Sequence, residues 1–407
     1  MAGPSLYDLV LQELEDRKAA HVHKFAPYYI ASVGAHLFNI YNKDIENGGL
    51  TVVPGGGDLP DFRMHILLLS PRGIGKTYWQ KQFILNKQTG LIRETSINCS
   101  IAQVVSESGI TGTVGFNQER GAVKSRGLAE TRKYDIIAID EFSTISAAAQ
   151  QSHSKMLDPV LLQVMDTGQI AKNLGPGEFN YVSYFTMWTG TQPTRFDLSQ
   201  GLDRRFFFLF SIPTAEQIRA TTEAFRAAMT VPVNPVRTTA IRALFTQLAS
   251  DIKTIKKVRF SPDINRWFDE AFHKRTVAWE EMHMLRLLMG LTLTRKRVEE
   301  EVVVEIDDEG KRLILQEMNW RRLIAKGPEL AMVEAIVESE GGKMELTVLK
   351  DWLAIFGINY VTSSDIINTA IRTRSLRMLP GEFVEVTHPT NIWKWDYGKE
   401  DSHDVHR

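Results

Sequence analysis

The chain has 407 residues, 43% hydrophobic and 24% charged, the profile of a soluble globular protein with core enough for two or three domains. Its net charge of −1 excludes nucleic-acid binding through bulk charge and leaves only local basic patches for such contacts, and its single cysteine, Cys99, which reads as a small packed residue, excludes an intrachain disulfide and a cysteine-rich zinc site. No run of 18 or more apolar residues and no secretory leader occur, so a cytoplasmic protein with no membrane span is expected. In chain order, Ser5 to Asn42 carry helical apolar periodicity, and Gly48-Gly49 with Pro54-Gly55-Gly56-Gly57 form a connection, so residues 1–60 read as a helical segment and linker. From residue 61 to 213, β-like runs at Ile66–Leu69, Tyr134–Ile139, Val182–Thr189 and Phe206–Ile212 alternate with helical stretches, which predicts an α/β domain built on a parallel sheet.

Two motifs inside that domain carry chemistry. The apolar run Ile66-Leu67-Leu68-Leu69 precedes Ser70-Pro71-Arg72-Gly73-Ile74-Gly75-Lys76-Thr77, and a helix is predicted from Tyr78. Strand, glycine-bearing loop, Lys-Thr and helix is the layout of a nucleoside-triphosphate P-loop. Glycines let backbone N–H groups approach the phosphates, and the helix N-terminus adds a positive dipole end. Lys76 would bridge the β- and γ-phosphates, and the Thr77 hydroxyl would ligate Mg²⁺. Ser70 replaces the first glycine of the general pattern. Further along, Tyr134-Asp135-Ile136-Ile137-Ala138-Ile139-Asp140-Glu141 is a buried-strand run ending in two carboxylates. Asp140 would hold Mg²⁺ directly or through water, and Glu141 would orient the attacking water at the C-terminal end of the strand.

Residues 214–325 turn helical, with a β-hairpin expected from Val302–Ile306 through Asp307-Asp308-Glu309-Gly310 to Arg312–Leu315, flanked by a solvated Glu299-Glu300-Glu301 run. Residues 326–395 form a separate unit, followed by a tail at 396–407. Helices are predicted at Leu330–Glu338, Glu345–Phe356 and Asp365–Arg374, the last capped by Ser363 or Ser364, with a hairpin over Leu376–Val386 turning at Pro380-Gly381. Three short helices and a two-stranded wing is the winged-helix pattern. Arg372 and Arg374 suit DNA phosphates, with Arg377 at the wing base, although such modules also serve as protein-docking pieces.

Several ordered segments together resemble one family, the minichromosome maintenance (MCM) helicases within the AAA+ ATPases. They are Arg63–Leu69 before the P-loop, Ser106–Gly112 and Gly127–Glu130 bounding a helix-2 insert, and Ile139–Phe142. Gln169–Lys172 follows as the first strand of a pre-sensor hairpin, then Gly190–Pro193 at the sensor 1 place and Asp203–Phe206 at the arginine-finger place. The match runs from about Ala26 to Arg297. Gln192 stands where the family carries asparagine, and the family's N-terminal OB-fold and zinc collar has no counterpart. The resemblance implies an AAA+ core with a helical lid and a C-terminal winged helix, hydrolysing ATP with Mg²⁺ at the seam between subunits of a hexameric ring. One subunit would supply Ser70 to Thr77, with Lys76 and Thr77 at the phosphates, together with Asp140, Glu141 and Gln192. Its neighbour would supply Arg205, assisted by Arg204, and Arg286 as sensor 2. Lys172 leads the DNA contacts it implies, before Arg120, Lys124 and Arg126, while Phe116 or Phe179 would either stack on bases or brace its own hairpin. The expected function is an ATP-driven DNA translocase or helicase of a mobile element or virus, working with other replication proteins. A MoxR-like protein remodeller or an initiator- or loader-type ATP switch is the alternative.

Overall fold

A computed structural model describes residues 3–42, 61–73, 75–102, 109–110, 112–117, 121–142, 163–174, 177–196, 204–212, 214–273 and 276–387, with backbone only for 114–117, 121–124, 172–174 and 177–179. Helices α1 (Leu6–Asp16) and α2 (Val22–Asn42) come first; Ser5 caps α1 by accepting from the Asp8 N–H. The strands then follow as β1 (His65–Leu69), β2 (Cys99–Ala102), β3 (Thr113–Asn117), β4 (Gly121–Ser125), β5 (Ile136–Ile139), β6 (Gln169–Leu174), β7 (Gly177–Val182), β8 (Thr186–Thr191) and β9 (Phe206–Phe210). Five of them make one parallel sheet in the order β2-β5-β8-β1-β9. β1, β5, β8 and β9 are buried along their whole length, as continuous apolar strands of a covered parallel sheet must be. The α/β expectation therefore holds. β3–β4 and β6–β7 are separate antiparallel hairpins.

Helix α3 (Lys76–Gln80) follows β1 and runs into a wider π-type turn, Lys81–Leu85, and α4 (Leu128–Thr131) precedes β5. Across β8, Trp188 donates its indole N–H to Ser32 of α2 at 2.8 Å and meets the Tyr29 ring edge-on at 5.0 Å, which pins α2 to the sheet.

After β9 come α5 (Ala215–Thr230), α6 (Pro235–Ile252), β10 (Lys257–Phe260), α7 (Pro262–Phe272), α8 (Ala278–Arg295), β11 (Glu301–Val304) and α9 (Asp308–Lys326). Here the structure corrects the expected hairpin at 302–315. β11 pairs in parallel with β10, and Arg312–Leu315 lies inside α9. The acidic run read as a turn is a helix start: the Asp307 side chain accepts from the Gly310 N–H at 2.8 Å, and Asp308 and Glu309 sit in the first turn near the positive dipole end.

Helix α8 crosses α2 where Gly290 meets Ala31. A Cβ on Gly290 would lie 2.0 Å from the Ala31 carbonyl oxygen. Gly290→Ala is therefore expected to lower the unfolding free energy by about 3 kcal/mol, read from urea denaturation.

The last module comprises α10 (Pro328–Ser339), β12 (Lys343–Glu345), α11 (Leu346–Ile355), α12 (Tyr360–Arg372), β13 (Leu376–Leu379) and β14 (Phe383–Val386), with a three-stranded sheet ordered β12-β14-β13. The expected β13–β14 hairpin is present, and β12 adds a strand that its three residues did not signal. α12 starts earlier than expected: Asn359 caps it through the Thr362 N–H at 2.9 Å, and Ser363 is buried in its first turn.

Candidate functional site

β8 lies between β1 and β5, so the C-terminal ends of all three strands converge. Gly73 and Gly75 take φ of +83° and +86°, a region nearly closed to residues with a Cβ, and so turn the chain from β1 into α3. The Ser70 N–H donates to the Thr191 carbonyl of β8 at 3.1 Å, and the Ser70 hydroxyl turns to its own loop, 3.3 Å from the Pro71 carbonyl. Arg72 is exposed, and Ile74 lies outside the described residues.

Lys76 runs over β8. A Cβ on Gly190 would stand 3.2 Å from the Lys76 side chain, so the small residue leaves room for it. The Lys76 ammonium reaches the Ser70 carbonyl at 3.5 Å and the Glu141 carboxylate at 3.7 Å. Burial pulls its pKa below the usual lysine range, opposed by the Glu141 and Asp140 carboxylates. The Thr77 hydroxyl donates to Asp140 at 2.5 Å. Gln192 ends β8 beside them and opens the 3₁₀ turn Pro193–Arg195.

The structure thus brings Lys76, Thr77, Asp140, Glu141 and Gln192 to the C-terminal end of the sheet. Three further residues act there in ways that motif reading did not foresee. Gln80 donates its amide to the Ile139 and Trp188 carbonyls at 3.2 and 3.1 Å, stitching α3 to β5 and β8. Gly190 gives Lys76 its path, and Arg195 adds a cation whose charge opposes that of Lys76. Gln80 and Arg195 carry no motif of their own, and Gly190 was read only as the first residue of the Gly190–Pro193 segment.

Among hard-oxygen ligands, one hydroxyl beside one carboxylate suits Mg²⁺, which binds through few protein groups and keeps waters and phosphates for the rest. Thr77 and Asp140 fit that set, and Gly73 and Gly75 supply backbone for an anion.

The predicted arginines lie at the opposite end of the sheet. His65 pairs with Phe206, so Arg204 and Arg205 sit by the start of β1, whereas Lys76 follows its end. A five-residue strand separates them, roughly 16 Å. Arg205 is only 5% exposed and forms an ion pair with Asp166. Arg204 is exposed. Arg286 donates its Nε–H to the Asp61 carbonyl at 2.8 Å within its own chain, and burial lowers its pKa.

Of the predicted DNA contacts, Lys172 stands on β6 opposite Phe179, and Lys124 on β4 opposite Val114. The side chains of Lys172, Lys124, Phe116 and Phe179, and all of Arg120, lie outside what is described. Arg126 is exposed and pairs with Glu130 at 3.5 Å. Arg372 and Arg374 are exposed on the last module. Between residues 328 and 387, however, five lysines and arginines face nine aspartates and glutamates. That module also rests on the site: α10 packs on Pro193–Arg195, and a Cβ on Gly357 would lie 3.6 Å from Arg72 of the 70–77 loop. Among the described residues, no helix is long and apolar enough to cross a membrane.

The opposite end of the sheet, where β1 and β8 begin, depends on buried neutral histidines. His65 of β1 accepts from the Met187 N–H at 3.0 Å, and His36 of α2 lies 2.8 Å from the Thr186 hydroxyl and 3.2 Å from the Tyr134 carbonyl. Burial lowers both pKa values, that of His36 to about 3. In the unfolded chain they protonate near 6.5. Both contributions are therefore intact above pH 6.5 and drain away as pH falls below it, that of His36 down to about 3, at about 1.4 kcal/mol per pH unit. His36→Gln is expected to flatten the fall of urea-unfolding free energy between pH 6.5 and 4.5 by about that slope; an unchanged slope would refute it.

No protein-family model matches the chain, and no curated protein is significantly similar to it.

Proposed function

We propose that the protein is an ATP-hydrolysing ring motor acting on DNA, an AAA+ ATPase similar to the minichromosome maintenance helicases. The observation that carries this reading is the contrast between the two ends of the sheet. One gathers Lys76, Thr77, Asp140, Glu141 and Gln192, and the other presents an arginine turn that its own P-loop cannot reach. Such a division suits subunits that pack side by side in a ring, so that one subunit's arginine turn faces the next one's phosphates.

In this reading Lys76 and the N–H groups around Gly73 and Gly75 bind the phosphates. Thr77 and Asp140 hold Mg²⁺, which would neutralise charge developing on the phosphate oxygens. Glu141 orients and polarises the attacking water, and Gln192 positions it against the phosphoryl group. Hairpins β3–β4 and β6–β7, the latter carrying Lys172, are the elements offered to DNA. The last module is read as a winged helix. Its acidic balance favours a protein-docking role over a DNA-binding one, and it keeps a second reading open, in which the motor remodels protein or loads a partner.

Steady-state ATP hydrolysis with and without single- and double-stranded DNA tests this, with Lys76→Ala as the blank. Several-fold stimulation by DNA is expected. Hydrolysis indifferent to either DNA would move the assignment to the second reading, and its absence would sink both.

A further inference from the structure

The arginine turn before β9 holds two guanidiniums in different situations. Arg205 faces inward, is 5% exposed, and pairs with the Asp166 carboxylate. Asp166 belongs to the helical turn 163–167, which leads through Gly168 into hairpin β6–β7. The same turn is clamped from the other side. The Arg63 guanidinium donates to the Val164 and Met165 carbonyls at 2.9 and 3.2 Å while it forks onto Asp61. Arg286 reaches the backbone of Asp61 from α8. Arg205 is thus one strut of a buried frame that ties β9, the start of β1, α8 and the hairpin base together. Asp166 itself is 39% exposed, but drawing Arg205 out to meet a phosphate would break this ion pair and pull a buried side chain from the frame.

Arg204 differs. It is exposed, and among the described residues no hydrogen bond or ion pair holds it. It sits one residue from a buried anchor, so its backbone is fixed while its side chain keeps its reach. Arginine suits a reach across a seam, because it stays charged and presents a planar fork that matches phosphate oxygens.

We propose that Arg204, and not Arg205, is the residue that crosses to the nucleotide of the adjoining subunit, and that Arg205, held by Asp166, is a positioning residue that aims it. The assignment rests on the ring-motor reading above. It also gives the hairpin a route to the chemistry. A shift of the β6–β7 base moves Asp166, Asp166 moves Arg205, and the turn carries Arg204 toward or away from the neighbour's phosphates.

Four proteins test it: wild type, Arg204→Ala, Arg205→Ala and Asp166→Asn, each measured for ATP affinity, kcat and thermal midpoint. Arg204→Ala is expected to lose kcat by about 10³-fold, with ATP affinity and thermal midpoint little changed. Arg205→Ala is expected to lower the midpoint by several degrees, with a kcat loss that Arg205→Lys partly restores. Asp166→Asn should follow Arg205→Ala in direction.

Mixing then separates a residue acting across the seam from one acting at home. Lys76→Ala subunits keep Arg204 but lack a working P-loop; Arg204→Ala subunits have the reverse. An equal mixture is expected to recover roughly a quarter of wild-type turnover, because about that share of seams joins one intact half of each kind. Wild-type kcat in Arg204→Ala, or a loss confined to Arg205→Ala at unchanged midpoint, overturns the assignment. So does a mixture as inactive as its parts. A wild-type protein that hydrolyses no ATP would instead mark failure of the motor reading. If Arg205→Ala does not fold, Arg204→Ala and the mixture still decide.

Discussion

Glu141→Gln is expected to bind ATP normally and to hydrolyse it about 10²- to 10³-fold more slowly, whereas Lys76→Ala is expected to lose binding and hydrolysis together. The contrast follows from what each side chain meets. Lys76 lies over Gly190 within 3.5 Å of the Ser70 carbonyl, committed to the loop where phosphate would sit. Its burial costs the ammonium hydration, so its affinity for the charged form rests on nearby negative charge. Removing it takes a cation from ground state and transition state alike, which raises KM as well as lowering kcat. Glu141 instead stands just beyond the end of β5, 3.7 Å from Lys76, while Thr77 pairs with Asp140. Its amide would keep the shape and lose the basicity needed to polarise water. Nucleotide affinity by calorimetry and phosphate release by a coupled assay separate the two variants. A Glu141→Gln protein with wild-type kcat would remove the carboxylate from its assigned role.

How much of this was legible in the sequence depends on the range of the interaction. Local patterns told most. The apolar runs Ile66–Leu69 and Ile136–Ile139 are central strands because only strands covered on both faces tolerate such runs. The turn from β1 into α3 was readable because Gly73 and Gly75 answer a backbone demand. The hairpin expected at 302–315 failed because its strand partner, Lys257–Phe260, lies more than 40 residues upstream, and Asp307-Asp308-Glu309 serves a helix start as well as it would a turn. The same limit hid the division of labour at Arg204-Arg205. Two adjacent arginines look equivalent as letters, and only the distant Asp166 distinguishes them. Gln80 and Gly190 matter through contacts across the sheet that no spacing rule encodes.

Arg63→Ala is expected to cost about 4 kcal/mol of stability, a large share of the roughly 5–15 kcal/mol typical of folded proteins. Arg63 is 1% exposed and gives every donor of its fork a partner. Its Nε and Nη2 meet the Asp61 carboxylate, Nη1 meets the Ser183 and Phe185 carbonyls at 3.3 and 3.0 Å, and Nη2 also meets Val164 and Met165. Truncation would leave Asp61 charged and buried without its guanidinium, and four carbonyls without this donor. Arg63→Lys keeps the charge but supplies a point where the frame needs a fork, so it is expected to recover less than half of the loss. Asp61→Asn removes the charge and leaves an acceptor, and should cost less than Arg63→Ala. Urea denaturation orders the three. Because Arg63 closes the hairpin base, Arg63→Ala should also expose the 163–182 segment to limited proteolysis below the global transition. Cleavage confined to other segments, or equal stability of Arg63→Ala and wild type, would show that the frame does not hold the hairpin.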